Sequence, residues 1–257
     1  MTDHGLFDIH CHLIPGVDDG AQDLEETRRL LRMEYEQGVR NIIATPHYRD
    51  QMFDTPIRTI HSQFALVEKC VQEFNQELAK EDRMRIYLGC EFHANMQMSR
   101  MLDEGRVSTM ADSGYVLVEF SGNAEYSYIE DRLRSLIIVG YRPIIAHVER
   151  CDNIWGDLEL VRDLAQMGAY MQVNADSILG KSGFYTKRFC RKLMKEDLLH
   201  FVGSDCHDSQ YRICRTGEAY RKVASKMGQE YADKIFIENP SAIVKNGENR
   251  RKFVKYT

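Results

Sequence analysis

The chain has 257 residues, 43% hydrophobic and 28% charged, which is enough apolar content for one sizeable core and excludes a disordered or fibrous protein. A net charge of -5 and a pI near 6.0 exclude a nucleic-acid binder that works through a broadly basic face. No apolar run approaches the roughly 20 residues that span a bilayer, Met1 to His10 hold neither a basic start nor an apolar stretch, and the odd set of seven cysteines contains no CxxC pair. A cytoplasmic chain with reduced thiols is expected, with residues 1–257 forming a single domain.

From the N-terminus onward, short β-rich apolar runs alternate with segments of helical period, the pattern of βαβ units around a parallel sheet. The first strand is expected at 6–10 (LFDIH). Asp23 with Glu26 three positions later forms a capping box opening a helix that runs to Gly38. A second strand follows at 41–47 (NIIATPH). Thr55 as cap and Pro56 as first helical residue then lead into Ile57, Ile60, Phe64, Val67, Val71, Phe74 and Leu78, a core-facing stripe. Strands are expected at 85–91 (RIYLGCE), 115–120 (YVLVEF), 143–147 (PIIAH), 169–174 (AYMQVN) and 200–205 (HFVGSD). Between and after them, helical segments fall at 128–139, 158–167, 187–196 and from Thr216 onward. Residues 245–257, with Arg250, Arg251 and Lys252, read as a short basic, solvated terminal tail.

Five of the nine histidines directly follow a predicted strand, and so do several acids. In barrels of parallel strands that rim is where active sites are built. His10 and His12 form an H-x-H pair whose rings point the same way from an extended segment. Asp19 lies in the next loop, in PGVDDG, and His47, Glu91, Glu119 and His147 end the following strands. Asp205 and His207 close the last. Gathered carboxylates repel unless cations stand between them, so bound divalent metals are expected. His4, His61, His93 and His200 read as structural, with His93 close to Glu91.

The ordered set DIHCH, VDDG, TPH, GCE, VEF, AHVER, SDCH and ENP resembles the PHP (polymerase and histidinol phosphatase) superfamily. Within it, the chain resembles the bacterial protein-tyrosine phosphatases encoded with capsule and exopolysaccharide synthesis genes. HCHLIPGVDDGA and AHVER are the most specific parts, and the resemblance runs from Phe7 to about Val244. It implies an α/β fold, a distorted, TIM-like (β/α)7 barrel in a single domain, and a site of three metals. One metal would take His10, His12 and Asp205 with Glu91 bridging. A second would take Glu91, Glu119 and His147, and a third Asp19, His47 and His207, with Asp18 able to replace Asp19. Mn²⁺ is the implied metal, with iron or zinc as alternatives. Three divalent ions and four acids leave about two positive charges for a phosphate dianion, and attack by a metal-bound hydroxide requires no covalent intermediate. Arg150 and Arg212 match the family's phosphate-binding arginines, with Arg49 a weaker candidate and Phe53 or Tyr48 available to stack on a phenyl ring. The implied partner is the phosphotyrosine-rich tail of a membrane tyrosine kinase that controls polysaccharide export. No nucleic acid and no stable membrane insertion are expected, and an oligomer is left open.

Two rival activities share these residues. Cys206 and Arg212 stand in the C-x5-R spacing of cysteine-dependent tyrosine phosphatases. The intervening HDSQY has no glycine to gather N–H groups on an anion, and Asp205 and Asp208 would raise the thiol pKa. A small phosphomonoester such as histidinol phosphate is the alternative substrate, although PGVDDGA and AHVER favour the tyrosine-phosphatase branch. A regulatory domain without turnover is disfavoured because every expected ligand is retained.

Overall fold

Strands that read as unbroken apolar runs need both faces covered, and a parallel sheet with helices packed against it meets that need. The computed structural model describes residues 5–254. The strands among them are β1 (Leu6–Cys11), β2 (Val39–Ala44), β3 (His47–Tyr48), β4 (Arg85–Leu88), β5 (Glu91–His93), β6 (Tyr115–Glu119), β7 (Arg142–Ile145), β8 (Tyr170–Asn174) and β9 (Phe201–Gly203). All their pairings are parallel, in one sheet ordered β1-β2-β4 and another ordered β3-β5-β6-β7-β8-β9. The fold is therefore α/β with parallel sheets.

Two of the seven predicted strands are each divided. The run at 41–47 breaks into β2 and β3 at Pro46, which has no N–H to give a ladder. The run at 85–91 breaks into β4 and β5 around Gly89, where an added Cβ would lie 2.9 Å from both Ile43 Cγ2 and Met110 Sδ. Backbone bonds bridge the breaks: Gly89 N donates to Ala44 O (2.8 Å) and Glu91 N to Pro46 O (3.1 Å). At the opposite edge the chain after β9 meets the end of β1. Asp205 N donates to His10 O (2.7 Å), and His12 N to Cys206 O (2.9 Å).

The helices are α1 (Leu24–Glu36), α2 (Ile57–Asn75), α3 (Met98–Asp103), α4 (Tyr126–Ile138), α5 (Leu158–Met167), α6 (Ala175–Leu179), α7 (Phe184–Lys195), α8 (Thr216–Met227), α9 (Gln229–Asp233) and α10 (Asn239–Val254). Asp23 caps α1 by accepting from Glu26 N at 2.8 Å, but the capping box is one-sided, since Glu26 accepts from Ser209 N instead. Thr55 is not a cap: its hydroxyl donates to Val17 O (2.9 Å) and Pro56 occupies the N-cap position. On α2, Ile60, Val67 and Val71 are buried, while Leu78 lies beyond the helix end. The short α3 and α6 have no counterpart in the sequence reading, because one or two turns are too brief to show a helical period.

Residues 245–254, expected as a solvated tail, continue α10. Lys245, Glu248, Asn249 and Arg250 are exposed there, while Gly247 is buried and Asn246 Oδ1 accepts from Gly114 N at 2.8 Å. His4 and residues 255–257 lie outside the described residues. No helix among the described residues is long and apolar enough to cross a membrane. All seven cysteines are buried free thiols.

Candidate metal centre

The alternation of β1 turns His10 and His12 to one side, and both are fully buried with ring centroids 5.4 Å apart. A side chain at Gly203 would meet His10, since a Cβ there would lie 2.5 Å from His10 Cβ. His47 opens β3, Glu91 opens β5, and Glu119 ends β6. His147 and Asp205 follow β7 and β9 with φ of 30° and 55°, left-handed conformations that cost a non-glycine residue energy and that concentrate at functional sites.

The nine predicted ligand residues converge. Glu91 Oε2 lies 3.1 Å from His10 Nε2, 3.2 Å from His12 Nε2 and 3.1 Å from His47 Nδ1, while its Oε1 lies 2.8 Å from His147 Nε2. Asp205 Oδ1 is 3.6 Å from both His10 Nε2 and His12 Nε2. Asp19 Oδ1 lies 3.5 Å from His47 Nε2 and 3.4 Å from His207 Nε2. Glu119 stands 3.9 Å from His147 and 3.8 Å from His47. Donor atoms of His10, His12, Glu91 and Asp205 fall within 4.8 Å of one another, as do those of His12, Asp19, His47 and His207, and those of His47, Glu91 and Glu119.

Three rings have their tautomer set from behind. His12 Nδ1 donates to Asp18 Oδ2 (2.9 Å), His10 Nδ1 to Gln172 Oε1 (3.2 Å), and His207 Nδ1 to Asp205 O (3.0 Å). Each neutral ring thereby presents the Nε2 lone pair to the cluster, the arrangement in which outer hydrogen bonds orient metal-binding imidazoles. Asp18 Oδ2 also accepts from His47 N (2.9 Å). Of the adjacent acids, Asp18 thus sits behind the histidines and Asp19 faces the cluster.

The same residues fit divalent cations on a second ground. His10 Nε2, His12 Nε2, His47 Nδ1, His207 Nε2 and Glu91 Oε2 are buried with no hydrogen-bond partner. An unpaired buried polar atom costs about 1–3 kcal/mol, and five at one place point to a ligand shared among them. Burial by itself would lower the His12 pKa, but the Asp18 and Glu91 carboxylates outweigh it and push the ring up to about 10. Burial, reinforced by Glu91, lifts Glu119 to about 7. Protons in this arrangement occupy the place that cations would take.

Above the cluster opens a cavity of about 330 Å³. Asp19, His47, Glu91, Glu119, His147 and Asp205 line it, with Arg49, Arg150 and Arg212 on its walls and Met52 and Phe53 at one lip. Arg150 and Arg212 contact the two Asp205 oxygens at 3.0 and 2.9 Å and stay roughly half exposed. Phe53 stacks on His47 with centroids 5.1 Å apart and planes at 10°. Tyr48 is buried against Phe92 and donates to Asp50 (3.0 Å), so it is not available to a bound ring.

Matching residues 6–245 is the family model described as capsular polysaccharide synthesis, CpsB/CapC. The chain belongs to this family. Relatives in the CpsB/CapC family include the tyrosine-protein phosphatase CpsB of Streptococcus pneumoniae, 35% identical over 246 residues, covering 93% of this chain and 98% of the relative. The tyrosine-protein phosphatase YwqE of Bacillus subtilis is 31% identical, covering 94% and 92%. A crystal structure from work on YwqE and CpsB, described there as metal-dependent tyrosine phosphatases, matches with a TM-score of 0.85 at 29% identity, covering 93% of this chain and 94% of the other.

Several site residues escaped the sequence reading. Gln172 Oε1 also accepts from His147 N (2.8 Å), and Asn174 donates to Asp205 Oδ2 (2.7 Å) and accepts from Gln172 (3.0 Å). Their signal was two polar residues in an otherwise apolar parallel strand, where burial demands a partner. The remaining histidines are apart from the cluster: His61 is exposed on α2, His93 faces Ser121 (3.1 Å), and His200 accepts from Met171 N (3.1 Å). Cys206 is no candidate nucleophile, because it is fully buried and its hydrogen bond with Cys11, together with burial, holds the thiol well above its usual range.

Proposed function

We propose that this member of the CpsB/CapC family is a metal-dependent tyrosine phosphatase acting on the phosphotyrosine-bearing tail of a membrane tyrosine kinase that regulates capsule or exopolysaccharide synthesis, approached from the cytoplasm. The fold is read as a distorted (β/α)7 barrel forming one domain over residues 1–257, in which β2 with β3, and β4 with β5, each count as one staggered strand. The observation that carries the activity is the convergence of five histidines and four acids, among which His10, His12, His47, His207 and Glu91 hold buried, unpartnered atoms.

His10, His12, Glu91 and Asp205 would hold one ion, Glu91, Glu119 and His147 a second, and Asp19, His47 and His207 a third, with Mn²⁺ the expected metal. Bound there, the ions supply Lewis acidity toward phosphate oxygens and activate water for attack on phosphorus. The chain's own residues supply the rest. Asp18, Gln172 and the Asp205 carbonyl fix the rings before any ion arrives, so little reorganisation is left for binding. Arg150 and Arg212 present planar guanidinium groups at the cavity wall, suited to the equatorial oxygens and to charge that develops on them. Phe53 offers a ring beside His47 for the phenyl group of the substrate.

The acids and histidines nearest the cavity are committed to metals and are poor proton donors. A tyrosine leaving group, with a pKa of about 10, departs without a donor, whereas a serine alkoxide needs one. The metal-loaded protein should therefore turn over phosphotyrosine peptides at least about 10²-fold faster than matched phosphoserine peptides, roughly 2.7 kcal/mol of barrier. Equal rates, or a preference for histidinol phosphate in the same sample, would overturn the reading.

A further inference from the structure

Alternation along an extended strand sends Cys11 to the side opposite His10 and His12, and Cys206 stands likewise between Asp205 and His207. Behind the histidine centre both thiols meet the inner face of α1, where Glu34 is fully buried. Glu34 Oε1 accepts from Cys206 Sγ at 3.4 Å and its Oε2 from Cys214 Sγ at 3.0 Å. Donor atoms of Asp8, Cys11 and Glu34 all lie within 4.8 Å of one another. Asp8 is also fully buried. Its Oδ1 accepts from His10 N (3.1 Å) and Ser204 N (3.0 Å), but its Oδ2 has no hydrogen-bond partner.

We propose that Asp8, Cys11, Glu34, Cys206 and Cys214 form a second metal site, separate from the phosphatase centre, that holds one zinc-like divalent ion. Two facing buried carboxyls hold either a shared proton or a cation between them, no ion pair reaches either among the described residues, and the three thiols beside them favour the cation. Mixed thiolate and carboxylate donors select zinc or a similar borderline ion over Mn²⁺. Four of the five side chains would suffice for a tetrahedral shell, closed as structural sites are. With no path from solvent, such an ion would enter as the chain folds. It would join β1, α1 and the 204–214 segment at the seam where the end of β1 meets the chain beyond β9.

The inference does not rest on the phosphatase reading, because the two sites share no ligand and the histidine centre contains no sulfur. Co²⁺ supplied to the full-length protein during expression is the probe. Thiolate-to-cobalt charge transfer in the near ultraviolet reports on the sulfur site alone. The band should be present in the wild type and persist in a His47→Ala/His147→Ala variant. It should disappear from Cys206→Ser/Cys214→Ser, with a loss of one metal ion per chain by elemental analysis. Glu34→Gln, which keeps the side-chain shape, should lose the same ion if the cysteine variant does not fold. A folded wild type without the band, with metal content that does not change in Glu34→Gln, would overturn the proposal and leave a proton shared between Asp8 and Glu34.

Discussion

Asp18 provides the sharpest test of how the histidine centre is assembled. Its Oδ2 accepts from His12 Nδ1 and from His47 N, both at 2.9 Å, and its Oδ1 from Gly20 N at 3.0 Å. One carboxylate therefore positions two proposed ligands. Removing such an outer partner costs about 10–100-fold in metal affinity, or roughly 1.4–2.7 kcal/mol. Asp18→Asn keeps an acceptor and should fall near the lower figure, and Asp18→Ala near the upper. Proton competition acts in the other direction and can be separated by pH. In the metal-free protein burial lowers the His12 pKa, but Asp18 followed by Glu91 raises it to about 10. The ring is thus protonated at neutral pH and must lose that proton to bind an ion. Wild-type affinity should rise by about tenfold per pH unit as pH climbs toward the native His12 pKa of about 10. With Asp18 neutralised the slope should flatten, because His12 is deprotonated sooner. Above pH 10 only the loss of orientation and charge remains, and the variants should bind more weakly by the factors given. Mn²⁺ titration calorimetry in buffers of different ionisation enthalpy measures affinity and proton release together. Identical affinity, slope and proton release in wild type and Asp18→Ala would show that Asp18 neither orients His12 nor raises its pKa.

Three further outcomes follow from the same geometry. Arg150→Ala and Arg212→Ala should each lower kcat on phosphotyrosine peptides by about 10²-fold, the scale for one donor to transition-state charge, and steady-state kinetics showing less than a twofold change would remove that arginine from the mechanism. Phe53→Ala should raise KM for those peptides by about 2–10-fold, from the roughly 0.5–1.5 kcal/mol of an aromatic pair, with little change in kcat; an unchanged KM would mean the substrate ring lies elsewhere. Chelation should lower the unfolding midpoint, since an ion held at 100 times its dissociation constant contributes about 2.7 kcal/mol, which corresponds to roughly 5–10 °C for a domain of this size. Calorimetry that finds the same midpoint with and without chelator would show that no ion is bound to the native state.

Where the chemistry could sit was legible from residue order alone, because the decisive signals are local. Period two made His10 and His12 co-facial, apolar runs marked the strands, and residues at their ends marked the rim where ligands gather. The H-x-H pair, His47, Glu91, Glu119, His147 and the Asp205–His207 pair were all legible on that ground. The choice between Asp18 and Asp19 was not, since adjacent loop residues differ only in which side of the cluster each carboxylate reaches. Nor were Gln172 and Asn174: the hydrogen bond from His10 to Gln172 spans 162 positions, and no local periodicity encodes a partner on a distant strand. The staggered breaks at Pro46 and Gly89 likewise depend on what packs behind them. Thr55 became a brace for Val17 rather than a helix cap because a neighbouring carbonyl was within reach. Glu34, Cys206 and Cys214 lie far apart in sequence, and only the closure of β1 against the segment following β9 brings them into one buried cluster. Local spacing fixes which way a side chain points from its own element, whereas what it meets is set by elements brought alongside it in the folded chain.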